Sequence, residues 1–225
     1  PDLASPTANP AGLELWMLSV IADAVSTPWQ AIARSGLAAG DLTVVVGCGG
    51  VGGFAVQIAA ARGAHVVAVD VDAGRLEQMR RNGAELTLQA GALDFKAIKG
   101  EIEGLTKRRG IPGFRQFVFE TSGTPAGQTT AFGLLGRGGY LGVVGFTPHK
   151  VEIRLSNLMA FDATVQGNWA CLPEHYPDIV AAVLAGRLAL APFVERRSLA
   201  TIQEVFAQLH AAPYSHRIVL TPENA

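Results

Sequence analysis

Apolar and polar positions fall into blocks along this chain of 225 residues. Leu42 to Asp70 sets the pattern: a β-branched run (LTVVV), a break into glycines, an Ala-rich stretch, and a second Val-rich run ending on an acid. Short continuous apolar runs on either side of a helix-length segment predict strand, turn, helix and parallel strand. The alternation continues downstream. Ala73 to Asn82 reads as a polar-faced helix stopped by Gly83, and Glu85 to Leu88 as a third strand. Ala92 to Arg109 reads as a surface helix whose closing Lys107, Arg108 and Arg109 suit the negative end of the helix dipole. Phe117 to Glu120 is the fourth predicted strand, Ala126 to Leu135 a helix, Gly138 to Phe146 the fifth strand and Ala163 to Trp169 the sixth. This order predicts an α/β fold with a doubly wound, parallel, six-stranded sheet of the Rossmann kind.

The flanks differ in character. Pro1 to Pro10 is rich in Pro, Ala and Ser and reads as a linker entered midway. Leu13 to Ser35 predicts one or two helices broken near Thr27 and Pro28, because proline removes a backbone donor and restrains its neighbour. Leu37 to Asp41 is the turn before the first strand. At the other end, Pro173 to Ala185 reads as helix, Arg187 to Val194 as extended, Thr201 to Ala211 as helix and His216 to Leu220 as a closing strand. These breaks divide the chain into an interdomain linker and helix (1–24), a dinucleotide-binding domain (25–170) and a C-terminal segment (171–225).

Composition narrows the functional classes. Charged residues are 16% and hydrophobic ones 49%, with a net charge of −1, so no basic field exists to hold a nucleic acid. The apolar run from Leu13 to Val25 is too short to span a bilayer and carries Glu14 and Asp23. Cys48 and Cys171 form no metal or redox spacing, which makes a reducing, cytoplasmic compartment the default.

The glycine turn carries the chemistry. Gly47, Gly49 and Gly52 fall on a G-x-G-x-x-G spacing, with Gly50 and Val51 between them, where strand hands over to helix. The first glycine makes the tight turn, the second lets backbone approach a pyrophosphate, and the third lets helix pack on strand. Asp70, eighteen residues after Gly52, is placed to accept hydrogen bonds from an adenosine ribose and favours NAD over NADP, since a carboxylate opposes a 2′-phosphate. Thr121 and Ser122, in the loop TSGTPAG, and Val144, Gly145 and Phe146, at the end of the fifth strand, are expected in the same cleft. Ligands of such sheets sit at the carboxyl ends of the strands.

The order TPWQAI, GDLTVVVGCGGVGGFAVQIAAARGAHVVAVDVDAGRLE, FVFETSG, GGYLGVVGF, LAGRL, HRIVLTP resembles the zinc-type medium-chain alcohol dehydrogenase family over nearly the whole chain. Within it, QTTAFGLL, VVGFTPHKVEIRLSNLMAFDA and GNWACLPEHYP are similar to the 6-hydroxycyclohex-1-ene-1-carbonyl-CoA dehydrogenase group of anaerobic benzoyl-CoA degradation. The resemblance implies NAD as cofactor, zinc in the parent enzyme and a small-molecule substrate, in the narrower match a CoA thioester. It also implies a homo-oligomer paired through the edge of the sheet, with Tyr140 to Phe161 as the contact. It places Arg75 at the adenosine ribose, Arg217 at the pyrophosphate, and backbone groups of Val144, Asn168 and Ala170 at the nicotinamide carboxamide. Thr27 contacts the nicotinamide or caps the second helix, and Asp23 stands where the family has its third catalytic zinc ligand, or else is a solvated helix acid.

The family's N-terminal GroES-like catalytic domain, with its G-H-E segment and proton relay, has no counterpart in this sequence. The chain therefore resembles the C-terminal two-thirds of such an enzyme, holds no catalytic residue of its own, and has a C-terminal segment that would return to the absent domain. His149, Lys150 and Arg154 are candidates for CoA phosphates, or a plain charged edge. Three other classes remain open: a zinc-free reductase of the same superfamily, a non-catalytic NAD-binding module, and an S-adenosylmethionine-dependent methyltransferase. The last expects an acid just before the glycine turn, where this chain has Val44, Val45 and Val46.

Overall fold

The computed structural model describes residues 2–211, 214 and 216–222. Six parallel strands form one sheet in the order β3-β2-β1-β4-β5-β6: β1 Leu42–Val46, β2 His65–Asp70, β3 Leu86–Gln89, β4 Gln116–Glu120, β5 Tyr140–Val143 and β6 Thr164–Gly167. Every residue of β1 is buried, which explains a strand of unbroken apolar character rather than alternation. The pleat then sorts its side chains by parity. Val45 packs with Phe54, Val66, Ala68, Phe119 and Ile179 on one face; Val44 and Val46 pack with Val67, Ile98, Ile102, Ala131 and Leu141 on the other.

The helices are α1 Ser26–Ser35, α2 Gly52–Ala61, α3 Ala73–Arg81, α4 Phe95–Arg109, α5 Pro125–Gly133, α6 Ser156–Phe161, α7 Tyr176–Leu184 and α8 Ile202–Ala211. Asp72, Asp94 and Thr124 cap α3, α4 and α5 by accepting from the backbone N–H three residues on, which fixes where each begins. The break in 13–35 falls at Asp23 to Val25, between a 3-10 helix over Leu15–Ala22 and α1, and not at Thr27 and Pro28. Pro28 lies in the first turn of α1, where no intrahelical N–H is required.

Three other expectations shift. The fifth strand stops at Val143, because the N–H groups of Val144 and Gly145 both turn to the Glu120 carbonyl at 2.9 Å. Helix α6 is unanticipated; apolar and polar residues alternate just before it, in 151–155, and its N-cap, Leu155, brings no side-chain cap. The extended segment at 187–194 is corrected: Ala191–Phe193 forms a short 3-10 turn, and the strand β7 is Val194–Ser198. The turn is needed to seat Leu190 and Phe193, both buried, against α2. The Phe193 ring lies 5.1 Å from that of Phe54 and occupies the space that a side chain at Gly53 would fill. Gln57 clamps the same segment, donating to Ala189 O at 3.2 Å and accepting from Ala189 N at 2.7 Å.

Strand β7 pairs in parallel with β8, Arg217–Thr221, in a second, two-stranded sheet that packs along the 3-10 helix Leu15–Ala22. No helix among the described residues is long and apolar enough to cross a membrane.

At the amino edge of the main sheet, Glu85 takes His65 Nδ1 at 2.8 Å and accepts from Arg109 Nε at 2.5 Å. Burial pushes its carboxyl up, but the hydrogen bonds from His65 and Arg109 outweigh that and hold it below the usual carboxylate range. The stabilisation is therefore complete above the unfolded-state value of about 4.3 and is lost as pH falls through the lower folded value. Glu85→Gln is expected to lose roughly 0.5 kcal/mol near neutral pH in urea unfolding, a difference that closes well below about pH 4.

Candidate functional site

The strand order reverses between β1 and β4, and the registers align Val46 with Val69 and with Glu120, and Glu120 with Val143. The carboxyl ends of β1, β2, β4 and β5 thus share one edge, at the switch point where such sheets form a crevice. The glycine turn fills it. Gly47 has a φ of 91°, and a Cβ there would sit 2.5 Å from the Ser122 backbone. A Cβ at Gly52 would lie 1.8 Å from Gly47 O, so the turn closes onto the start of α2 only with glycine at both ends. Gly49 differs: its Cβ direction is open, with nothing within 4 Å, and Val51 at the helix N-cap brings no side-chain cap. The helix start accordingly presents bare backbone to the crevice.

Side chains from neighbouring strands hold this turn in place. Thr121 Oγ1 donates to Gly47 O at 2.6 Å, tying β4 to the turn. Asp70, buried at the end of β2, accepts from Cys48 N at 2.6 Å and from Asp72 N at 2.9 Å, with Arg75 at 3.8 Å. Asp70 therefore frames the turn from the end of β2. Arg75 donates to Tyr214 O at 3.1 Å, while its buried Nε finds no acceptor among the described residues. Cys48 lies against Asp70, and burial pushes its thiol well up, which leaves a neutral packing group and no nucleophile.

Glu120, absent from the sequence-derived site, is fully buried at the end of β4. Its Oε1 accepts from Ser122 N at 2.8 Å, Ser122 Oγ at 2.5 Å and Gly123 N at 3.1 Å, so Ser122 is bound inward to the loop. Gly145 packs on this loop; a Cβ there would lie 2.3 Å from Gly123 N and 2.6 Å from Glu120 Oε2. Val144 is half-buried and Phe146 turns out to solvent. An acid closing a strand buried on both faces was the signal available for Glu120.

Asn168 and Ala170 form the far wall. Asn168 Nδ2 donates to Thr27 O and to Ala170 O, both at 3.2 Å, and its Oδ1 accepts from Gln30 and Arg34 of α1. Gln30 also accepts from Leu172 N at 2.6 Å. Gln30 and Arg34 are further residues that pattern reading missed, since helical spacing does not reveal a partner some 140 residues away. Ala170 holds a φ of 54°, a left-handed conformation costly for a residue with a Cβ and typical of functional sites. Thr27 does not cap α1, whose N-cap is Val25; its hydroxyl donates back to Asp23 Oδ1 at 3.1 Å.

Asp23 and Arg217 meet: Arg217 Nη2 donates to Asp23 Oδ2 at 2.9 Å. The buried Arg217 Nε has no acceptor among the described residues and lies 2.8 Å from where a Cβ of Gly50 would be. Among the described residues no group of three His, Cys, Asp or Glu is arranged to hold a metal ion. His149, Lys150 and Arg154 are exposed on the segment leaving β5. The geometry suits a dinucleotide: bare backbone at Gly49, an acid at the end of β2, and buried arginine donors left unpartnered beside the turn.

Residues 50–185 match the family described as zinc-binding dehydrogenase. The L-threonine 3-dehydrogenase of Bacillus licheniformis is 30% identical over 200 residues, covering 84% of this chain and 53% of that protein. An alcohol dehydrogenase structure from Thermotoga maritima superposes with a TM-score of 0.83 at 22% identity, over 94% of this chain and 58% of its own. The acetophenone reductase of Geotrichum candidum, solved in complex with NAD, gives 0.78 at 22% identity, over 96% and 58%. The chain thus spans little more than half the length of the relatives it matches.

The turn geometry makes a direct prediction for folding. Gly52→Ala is expected to cost about 1–3 kcal/mol, because its Cβ overlaps Gly47 O, whereas Gly49→Ala changes stability by less than about 1 kcal/mol. Chemical denaturation of the two variants side by side measures the difference.

Proposed function

The chain belongs to the zinc-binding dehydrogenase family, and from that premise we propose that it is the cofactor-binding part of an NAD-dependent alcohol dehydrogenase oxidising a secondary alcohol to a ketone. The observation that supports this reading is the set of features on one edge: the open backbone at Gly49, the buried carboxylate of Asp70, and the Arg217 Nε over Gly50, which has no acceptor among the described residues. A pyrophosphate on the turn would meet backbone N–H groups at the start of α2 and a guanidinium suited to paired phosphate oxygens. The adenosine ribose would lie by Asp70 and Arg75, where the fixed carboxylate opposes a 2′-phosphate. Val144, Gly145, Phe146, Asn168 and Ala170 would flank the nicotinamide, its carboxamide held by backbone groups that the Gln30–Asn168–Thr27 network keeps in place. When bound, the nicotinamide supplies the hydride acceptor for the alcohol carbon.

The described residues of this chain do not by themselves fit a zinc site. Asp23 is the single position to which the family resemblance assigns a metal ligand, and both its oxygens are engaged, by Arg217 and Thr27. The division 1–24, 25–170 and 171–225 leaves chemistry at the alcohol to residues outside this chain. The finer reading, 6-hydroxycyclohex-1-ene-1-carbonyl-CoA as substrate in the cytoplasm, draws support from the segments 128–135, 143–163 and 167–177 and from the exposed basic residues His149, Lys150 and Arg154. Homo-oligomerisation is proposed through β6, the edge strand of the sheet, and α6, where Val165, Leu155 and Met159 are exposed.

Calorimetric titration of the chain with NAD+ and NADP+ tests the cofactor reading. Saturable binding of NAD+ is expected, with NADP+ at least about tenfold weaker, the equivalent of roughly 1.4 kcal/mol. Gly49→Ala should retain the fold and lose most of the NAD+ affinity, because its Cβ would stand where the pyrophosphate approaches. Equal binding of both cofactors, or none, defeats the proposal. Alcohol and NAD+ supplied to this chain alone should give no turnover.

A further inference from the structure

We infer that Asp23 is a positioning residue for the pyrophosphate site, its carboxylate holding the Arg217 guanidinium over Gly50 with one edge left for phosphate. The inference rests on the cofactor reading above and assigns Asp23 a task other than metal ligation. Asp23 closes the 3-10 helix Leu15–Ala22, and Arg217 opens β8, the strand that packs along that helix. Packing thus brings together two residues 194 positions apart. The carboxylate is pinned at both oxygens: Oδ1 accepts from Thr27 Oγ1 at 3.1 Å and Oδ2 from Arg217 Nη2 at 2.9 Å.

A guanidinium has five N–H donors in a rigid planar fork, so fixing one arm orients the others. In this case the Nη2 arm goes to Asp23. The Nε edge, withdrawn from water and without an acceptor among the described residues, lies against Gly50. A buried donor lacking an acceptor is costly, and an anion on the turn would supply one.

Asp23 also exerts an opposite effect, since its negative charge disfavours a nearby anion. Exposure decides between the two. The Asp23 side chain is 69% exposed, so water and salt screen its field beyond contact distance. The charge-assisted hydrogen bond acts at contact and spares Arg217 the rotamer entropy it would otherwise lose on binding. Positioning therefore outweighs repulsion.

The test is a double-substitution cycle on this chain in buffer with a chelator, reading the dissociation constants of NAD+ and ADP by calorimetry and the unfolding midpoint separately. Asp23→Ala is expected to weaken both ligands by roughly threefold to tenfold at an unchanged midpoint. Asp23→Glu should restore part of the loss. In an Arg217→Gln background, Asp23→Ala should have no further effect, a coupling that a merely structural role would not produce. Unchanged or tighter binding by Asp23→Ala overturns the inference, as does a full loss persisting without Arg217. Failure of the unsubstituted chain to bind NAD+ overturns the cofactor reading itself, and the positioning role with it.

Discussion

Two buried carboxylates at strand ends shape the carboxyl edge of the sheet. A parallel sheet covered on both faces leaves no room for water at its centre, and a polar group buried there is costly unless hydrogen-bonded. Asp70 meets that condition at both oxygens by taking the N–H groups of Cys48 and Asp72; Glu120 meets it at Oε1, which takes those of Ser122 and Gly123 together with the Ser122 hydroxyl, while its buried Oε2 has no partner among the described residues. Each carboxylate thereby dictates the path of a loop. Asp70 draws the glycine turn toward β2, and Glu120 folds the loop after β4 into a tight curl on which Gly145 rests. Thr121, bonded to Gly47 O, joins the two. The crevice follows from the loops that these two acids hold, and the Gly49 backbone stays open on that edge.

How much was legible in the chain depended on whether the signal was local. The βα alternation, the glycine spacing and the acid closing β2 are short-range patterns, and each appears in the structure, with α6 missed and the fifth strand ending earlier than expected. Caps at Asp72, Asp94 and Thr124 are equally local. The break before α1 was misplaced because Pro28 was weighed as a breaker, although the first turn of a helix accepts it. The extended segment at 187–194 was misplaced because its apolar residues face α2 rather than a neighbouring strand, a fact that only the Phe193 and Gln57 contacts reveal. Glu120, Gln30 and Arg34 escaped because their partners are distant in sequence or are backbone groups of a loop whose curl could not be foreseen. Asp23 and Arg217 were each singled out separately, but nothing in their spacing joined them.

The two ends of the crevice are built from different materials. At the glycine turn the open surface is backbone, held by side chains of Asp70 and Thr121 and flanked by Arg217. At the opposite end the wall is a loop held by a side-chain network: Asn168 receives Gln30 and Arg34 and donates to Thr27 O and Ala170 O. Helix α1 supplies three of those partners and also begins next to Asp23. One short helix, packed on α2 and α7 and buried at Ala31 and Ile32, thus sets the position of both walls.

Dependence on α1 has a mechanical consequence. Ala170 is held at a φ of 54° by bonds that converge on Asn168, so its strain is paid by the same network that orients the loop. The network runs from buried Thr27 and Gln30 out to exposed Arg34 and Ala170, and the loop from Asn168 to Leu172 rests on it more than on regular structure. The glycine turn, by contrast, is wedged between β1, β2 and β4 and has no comparable freedom. The two ends of the crevice therefore differ in what holds them: strand-end contacts at the glycine turn, and the side chains of one helix at the loop of Asn168.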